Sequence, residues 1–280
     1  MTASTGEWSV DRELLEKEYR ESFRLTTERS SGRVGPSVAG FLLFARHLVT
    51  YELILPYVNG REVLEVGCNL GYGSRFLAAS GFEVTAIDND IEVIEEARRC
   101  SSPGIRFTEA DAARLPFEER SFDTVIGLQI LEHLTPLDAD RFLEDCARVL
   151  RPGGNLILVT PNRRFRMMPG QRAVNPEHTR EFTQRQVASL VGAHFGEVKT
   201  MGTRSTEFIE ETEHRRMGRS VWKAYVAGPG GTFLRKHAPG LKPGPKCAAF
   251  TQDLDLFFEQ APTVETSDFR LVERAGTRAM

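Results

Sequence analysis

The period of apolar positions changes along the chain, and the changes mark its elements. Asp11 to Tyr19 (DRELLEKEY) places Leu14, Leu15 and Tyr19 on one face of a charged helix, and Ser30 to Pro36 is turn chemistry. A second helix is expected from Ser37 to Tyr57, with Pro56 near its end. From Glu62 short apolar runs take over, at Val63 to Val66, Glu83 to Ile87, Ile105 to Thr108, Thr124 to Leu128 and Leu156 to Thr160. Helical patterns lie between them, over Gly73–Ser80, Ile91–Arg99 and Asp138–Leu150. Strands alternating with helices at this spacing predict βαβ units and an α/β fold. The sheet is then doubly wound and mostly parallel, with right-handed crossovers and ligands at the carboxyl ends of its strands.

Past Pro161 the pattern loosens. Glu197 to Met201 (EVKTM) reads as a sixth strand and Asp268 to Arg274 as a last one. Between them a helix is expected over roughly Thr206–Ala227, followed by a Gly/Pro-rich run. This stretch is too poor in apolar residues for a core of its own, so it reads as an insertion or lid. The resulting division is a helical cap at 1–58, an α/β core at 59–202, a helical lid for the acceptor at 203–265, and a C-terminal strand and tail at 266–280.

Composition removes several classes of function. The 36 Lys and Arg against 39 Asp and Glu give a net charge of −3, which argues against a broad grip on nucleic acid. The most apolar stretch, Gly40 to Val58, is broken by Arg46, His47 and Glu52, so no membrane insertion is expected. The N-terminus shows neither the basic nor the apolar region of a secretory signal, so a cytoplasmic location is expected. Cys68, Cys100, Cys146 and Cys247 form no CxxC pair and no Cys/His cluster. They read as buried free thiols, and no metal site is expected.

The chemistry-bearing segment is Val63 to Ser74 (VLEVGCNLGYGS), a strand, a glycine turn and the start of a helix. Gly67, Gly71 and Gly73 permit left-handed backbone and close approach of a ligand, and Asn69 is the non-glycine type that best tolerates that region. The second strand ends at Asp88, which suits a carboxylate that accepts from ribose hydroxyls. The third is followed by Asp111 and Ala112, where a side chain meets an adenine amino group. A dinucleotide turn wants glycine at 67, 69 and 72, and this chain has Asn69 and Tyr72. Glu65 is unwelcome beside a pyrophosphate but acceptable beside an ammonium or a sulfonium. No phosphate-binding GxxxxGK[ST] loop is present, and S-adenosylmethionine fits these residues better than a dinucleotide.

These segments, together with EADAARLPFEERSFDTVIGLQILEHL and RVLRPGGNLILVTPN, resemble the class I S-adenosylmethionine-dependent methyltransferases of the small-molecule, type 11-like subgroup. The resemblance covers about residues 60–165 and extends to His47–Tyr51 and Asn175–Phe182. It implies a seven-stranded Rossmann-like sheet with N-terminal helices and a helical lid. It also implies S-adenosylmethionine as cofactor, with Glu65, Gly67, Cys68, Asn69 and Gly71 on the methionine side. Asp88 would hold the ribose, Asn89 would lie by the adenine, Asp111 and Ala112 would read its edge, and Leu128 and Gln129 would sit below the sulfonium.

Methyl transfer from a sulfonium is an in-line displacement that depends on near-attack geometry. A hydroxyl acceptor must also lose its proton, and His133, His178 and Glu181, after the fourth and fifth strands, are the candidate bases. Arg151, Arg163, Arg164, Arg166, Arg172 and Arg180 could engage a phosphate or carboxylate on a small-molecule acceptor, with a solvated basic loop as the alternative, and the resemblance adds a glycosidic acceptor as an expectation. Phe208, Met217, Trp222, Tyr225 and Phe233 would wall its pocket or make core or homodimer contacts. The leading expectation is O-methylation of a sugar or natural-product hydroxyl. C- or N-methylation, an NAD-type oxidoreductase and a non-catalytic binding protein of the same fold remain open.

Overall fold

The computed structural model describes residues 10–29, 38–101, 104–166, 177–212, 264 and 266–272. Two helices come first, α1 (Arg12–Arg29) and α2 (Val38–Ile54), the latter running into a 3-10 turn at Leu55–Tyr57. Then follow β1 (Glu62–Val66), α3 (Tyr72–Ala79), β2 (Glu83–Asp88), α4 (Ile91–Arg99), β3 (Arg106–Glu109), β4 (Phe122–Leu128), α5 (Pro136–Val149) and β5 (Leu150–Val159). Beyond lie α6 (Arg163–Arg166), α7 (Gln184–Val191), β6 (Gly202–Ser205) and β7 (Phe269–Val272).

The first five strands form one parallel sheet in the order β3-β2-β1-β4-β5. Two crossovers run outward from the central β1 to β3, and the chain then returns to β4, on the other side of β1. That reversal is the switch point at which such sheets bind ligands. Side chains alternate along each strand and divide the core. Val63, Val84, Ala86, Phe107 and Ile126 join α2, α3 and α4 in one cluster. Leu64, Val66, Ile87 and Val125 join α5 in the other. Leu64, Ile87 and Ile126 are fully buried, and each such side chain contributes about 1.5–3 kcal/mol of transfer free energy. Asp90 caps α4 by accepting from the amides of Glu92 and Val93, and Thr135 caps α5 through Asp138.

The N-terminal helices are bound to the core by charge as well as by packing. Arg75 on α3 pairs with Glu18 on α1, where both side chains are largely buried, and lies 3.5 Å from Glu21. Val10 donates to Glu52 at 2.7 Å, and the hydroxyl of Thr266 donates to the same carboxylate. One acid on α2 therefore joins both ends of the described chain.

The sheet differs from the expected one in extent. Among the described residues it has five strands, and β6 and β7 form a separate antiparallel pair rather than its sixth and seventh members. The segment Glu197–Met201 is irregular, and the strand begins at Gly202, opposite Val272. Strand formation follows the available partner more than local propensity, and here the partner lies 70 residues away in the register pair Gly202–Val272. β5 starts earlier than its apolar run, because Leu150 already pairs with Phe122 before a register shift between Phe122 and Thr124. Residues 207–212 are helical. Most of the expected lid, including Met217, Trp222, Tyr225 and Phe233, lies outside the described residues, as does Cys247. Phe208 is 54% exposed and so is not a core residue here. Cys68, Cys100 and Cys146 are free thiols, two of them buried. No helix among the described residues is long and apolar enough to cross a membrane.

Candidate active site

The parallel registers bring the carboxyl ends of β1 to β5 to a common edge: Val66 is opposite Ile87 and Gly127, Asp88 opposite Glu109, and Leu128 opposite Val159. The glycine turn folds over that edge. The amides of Gly67 and Cys68 both donate to Ile87 O, at 2.8 and 2.9 Å, which turns the chain back across β2. Gly67 has φ +75° and a Cβ there would stand 2.8 Å from Ile130, so any side chain would meet both strain and the loop after β4. Asn69 has φ 48°, so it does occupy a glycine-type slot, and its Oδ1 accepts from Leu70 N at 2.7 Å. Gly71 is the N-cap of α3.

Under this turn lies Glu65, 1% exposed. Tyr51 donates to its Oε1 at 2.5 Å, and Ser74 donates to Oε2. Burial, only partly offset by these bonds and by Arg75, pushes the Glu65 carboxyl up to about 7. Burial also raises the Tyr51 phenol and the Cys68 thiol, the nearby Glu65 adding to both. A Cβ on Gly73 would fall 2.1 Å from the Tyr51 ring, so glycine at 73 is what lets α2 come this close to α3. The sequence suggested close approach of a ligand at Gly73, and the structure puts an aromatic ring there.

At the end of β2, Asp88 accepts from Asn69 N at 3.0 Å through Oδ2 and from Asp90 N at 3.2 Å through Oδ1. A carboxylate has about four lone-pair sites, so both oxygens keep capacity for ribose hydroxyls. Ala110 N donates to Asp88 O at 2.9 Å, which binds the loop after β3 to the same edge. There Asp111 is exposed, its Oδ1 taking Ala113 N at 2.9 Å, and Ala112 is buried. Asn89 is exposed beside Asp88. Leu128 ends β4, and Gln129, with φ 58°, donates from its amide to Val159 O at 2.7 Å. A hydrogen-bonding turn, a carboxylate with open acceptor sites and a buried acid beneath the turn fit the donor and acceptor pattern of S-adenosylmethionine.

The candidate bases converge as well. His133 and His178, 45 positions apart, stack edge to face with ring centroids 4.8 Å apart. His178 Nδ1 lies 3.1 Å from Glu181 Oε1, with the two side chains 7% and 0% exposed. The segment that carries them is stapled to the loop after β4: Thr179 Oγ1 donates to Glu132 O at 3.1 Å and to Leu134 O at 2.5 Å, and Arg180 N donates to Glu132 O at 3.3 Å. Arg163 N also donates to Phe182 O at 2.8 Å. Fully buried Glu132, which the sequence reading did not single out, accepts from Thr160 Oγ1 at 2.9 Å. Its flanking histidine was the only available signal, because an acid in a loop gives no hint of burial. Tyr51 and Ser74 were missed because their roles come from contact with Glu65, which only the fold creates.

The arginines separate. Arg151 starts β5 at the far edge of the sheet and pairs with Asp123 at 2.7 Å, which removes it from the cleft. Arg163, Arg164 and Arg180 lie after β5 on the cleft side, Arg180 over the ring of Phe182 at 5.0 Å. The side chain of Arg166 and all of Arg172 lie outside the described residues.

This is the architecture of a Rossmann-like methyltransferase. Residues 63–154 match a family model described as a methyltransferase domain. A probable S-adenosylmethionine-dependent methyltransferase of Mycobacterium tuberculosis is 38% identical over 161 residues, 57% of each chain. A second, of Mycolicibacterium smegmatis, is 35% identical over 185 residues, which cover 65% of this chain and 70% of the relative. A fatty-acid O-methyltransferase of the same organism is 35% identical over 133 residues, 46% of this chain and 48% of the relative. The fold is that of a solved S-adenosylmethionine-dependent methyltransferase of Thermotoga maritima, with a TM-score of 0.51 at 19% identity over 70% of this chain and 86% of that one. The chain belongs to the class I S-adenosylmethionine-dependent methyltransferases, and S-adenosylmethionine is its cofactor. It spans 57% of the length of the tuberculosis relative.

Proposed function

We propose that the protein methylates a hydroxyl of a small molecule, of anionic or glycosidic character, with a histidine as general base. The observation that carries this reading is the buried His178–Glu181 pair beside His133 at the carboxyl end of β4 and β5. The cofactor supplies a methyl group already activated on a sulfonium. Asp88 and the turn at 67–71 hold it, and Glu65 receives its ammonium. With Nδ1 turned to Glu181, Nε2 is the ring atom of His178 that faces away from the carboxylate and takes the hydroxyl proton. With the cofactor bound, displacement at that methyl would join the acceptor oxygen to carbon and leave the electron pair of the broken carbon–sulfur bond on sulfur. Glu181 stabilises the imidazolium that results. Arg163, Arg164 and Arg180 border the cleft as partners for a negative group on the acceptor. The similarity to a fatty-acid O-methyltransferase supports an oxygen acceptor.

The test is transfer of a tritium-labelled methyl group to a panel of alcohols, sugars, hydroxy acids and amines. Label in a hydroxyl product that falls at least about 100-fold in His178→Ala supports the reading. Label confined to amines, indifferent to that substitution, would make the protein an N-methyltransferase.

A further inference from the structure

We propose that Glu132, His133 and His178 form a site for a divalent transition-metal ion. A carboxylate oxygen of Glu132 and a ring nitrogen of each histidine all lie within 4.8 Å of one another. Three ligands bound at about 2.1 Å stand about 3.4 to 3.6 Å apart, so the ion would draw them together by up to about 1.4 Å, a movement that side-chain rotation supplies. Two imidazoles and one carboxylate suit Zn²⁺, Mn²⁺ or Fe²⁺ better than Mg²⁺, which prefers oxygen throughout.

The surroundings resemble a metal's outer shell. His178 presents Nδ1 to Glu181 at 3.1 Å, which leaves Nε2 as its ligand atom, as a ligating histidine is normally held by a second carboxylate. Thr160 orients Glu132 from its Oε2. The Thr179 hydroxyl and the Arg180 amide, both donating to Glu132 O, lock together the two loops that supply the ligands. Three protein ligands leave coordination positions open on the side of the cleft. Binding itself follows from this geometry. Its purpose rests on the acceptor reading above, since an ion there would coordinate the acceptor hydroxyl and lower its pKa. His178 serves as base while the ion is absent; with the ion bound its nitrogen is a ligand and the proton passes to water.

Full-length protein without a histidine tag, stripped with a chelator, is titrated with Co²⁺ by visible absorption and with Zn²⁺ and Mn²⁺ by calorimetry. Expected is one ion per chain, with affinity weakened at least about tenfold in His133→Ala and His178→Ala, and about 10- to 100-fold in Glu181→Gln, which keeps every ligand. His194→Ala serves as control, because His194 pairs with Asp140 at 2.9 Å on α5, away from the cluster, and is expected to bind as wild type. Circular dichroism checks the fold of each variant. Wild-type protein that binds no ion, or that binds no better than His133→Ala and His178→Ala, overturns the site. So does an equal loss in His194→Ala. S-adenosylhomocysteine titrated into the same stripped samples reports separately on the methyltransferase reading: its failure to bind would remove that reading and leave the metal result standing.

Discussion

The phenol of Tyr51, on the last turn of α2, lies 2.5 Å from Glu65, the only carboxylate on β1 that faces the core. The two residues join the N-terminal helices to the strand that enters the cofactor turn. Tyr51 is thereby a positioning residue for an acid expected to meet the cofactor.

Tyr51→Phe keeps the ring and removes the donor. Leaving a buried carboxyl short of a partner costs about 1–3 kcal/mol, so urea unfolding should show that loss of stability, and calorimetry weaker binding of S-adenosylmethionine. Unchanged values for both would reduce Tyr51 to a space-filling residue.

The acidity of Glu65 sets a pH dependence. Its folded value of about 7 lies above the ordinary 4.5, so between these values the folded chain holds a proton that the unfolded chain has released. Stability therefore falls as pH rises from about 4.5 to about 7, by an amount on the order of 3 kcal/mol, and is flat above. Glu65→Gln should flatten this slope in denaturant titrations. Cofactor affinity should run the other way, rising through neutrality as the carboxylate forms to meet the ammonium. A wild-type slope that survives in Glu65→Gln would assign the effect to another group.

Asn69 tests the turn. In Asn69→Val a branched side chain must hold φ 48°, at a cost of about 1–2 kcal/mol, whereas Asn69→Gly keeps the conformation and loses one hydrogen bond. Thermal unfolding should rank wild type and Asn69→Gly close together and Asn69→Val well below. Equal melting points for Gly and Val variants would contradict the strain argument.

Asp88→Ala removes two charge-assisted hydrogen bonds expected to the ribose, each worth about 1.5–3 kcal/mol. Affinity for S-adenosylhomocysteine should fall at least about 100-fold, with the fold retained. A drop of less than about threefold would place the ribose elsewhere.

The parallel core was readable because each of its strands is a short apolar run next to a helix of clear period, and such units pair with their neighbours in sequence. β6 and β7 were not readable as a pair, since each finds its partner some 70 positions away and neither has a strong pattern of its own. Within the site, Gly67, Asn69 and Asp88 were legible because turn chemistry is local. Glu132, Tyr51, Ser74 and Thr160 take their roles only from neighbours brought together by the fold. Arg151 was grouped with the cleft-side arginines by sequence proximity to Arg163, although it is the second residue of β5, which carries the chain to the other end of the sheet before Arg163.

The carboxylate of Glu52 takes bonds from Val10 and Thr266, and Glu52 directly follows Tyr51 on the last turn of α2. During synthesis the five-stranded sheet is complete once residue 159 has left the ribosome, but this contact must wait for more than a hundred further residues. The tail thus fastens the outer side of the helix whose inner side supports the cofactor turn. A chain cut short before residue 266 would lose this bond to the neighbour of Tyr51, and its grip on the cofactor should weaken although its parallel sheet is whole.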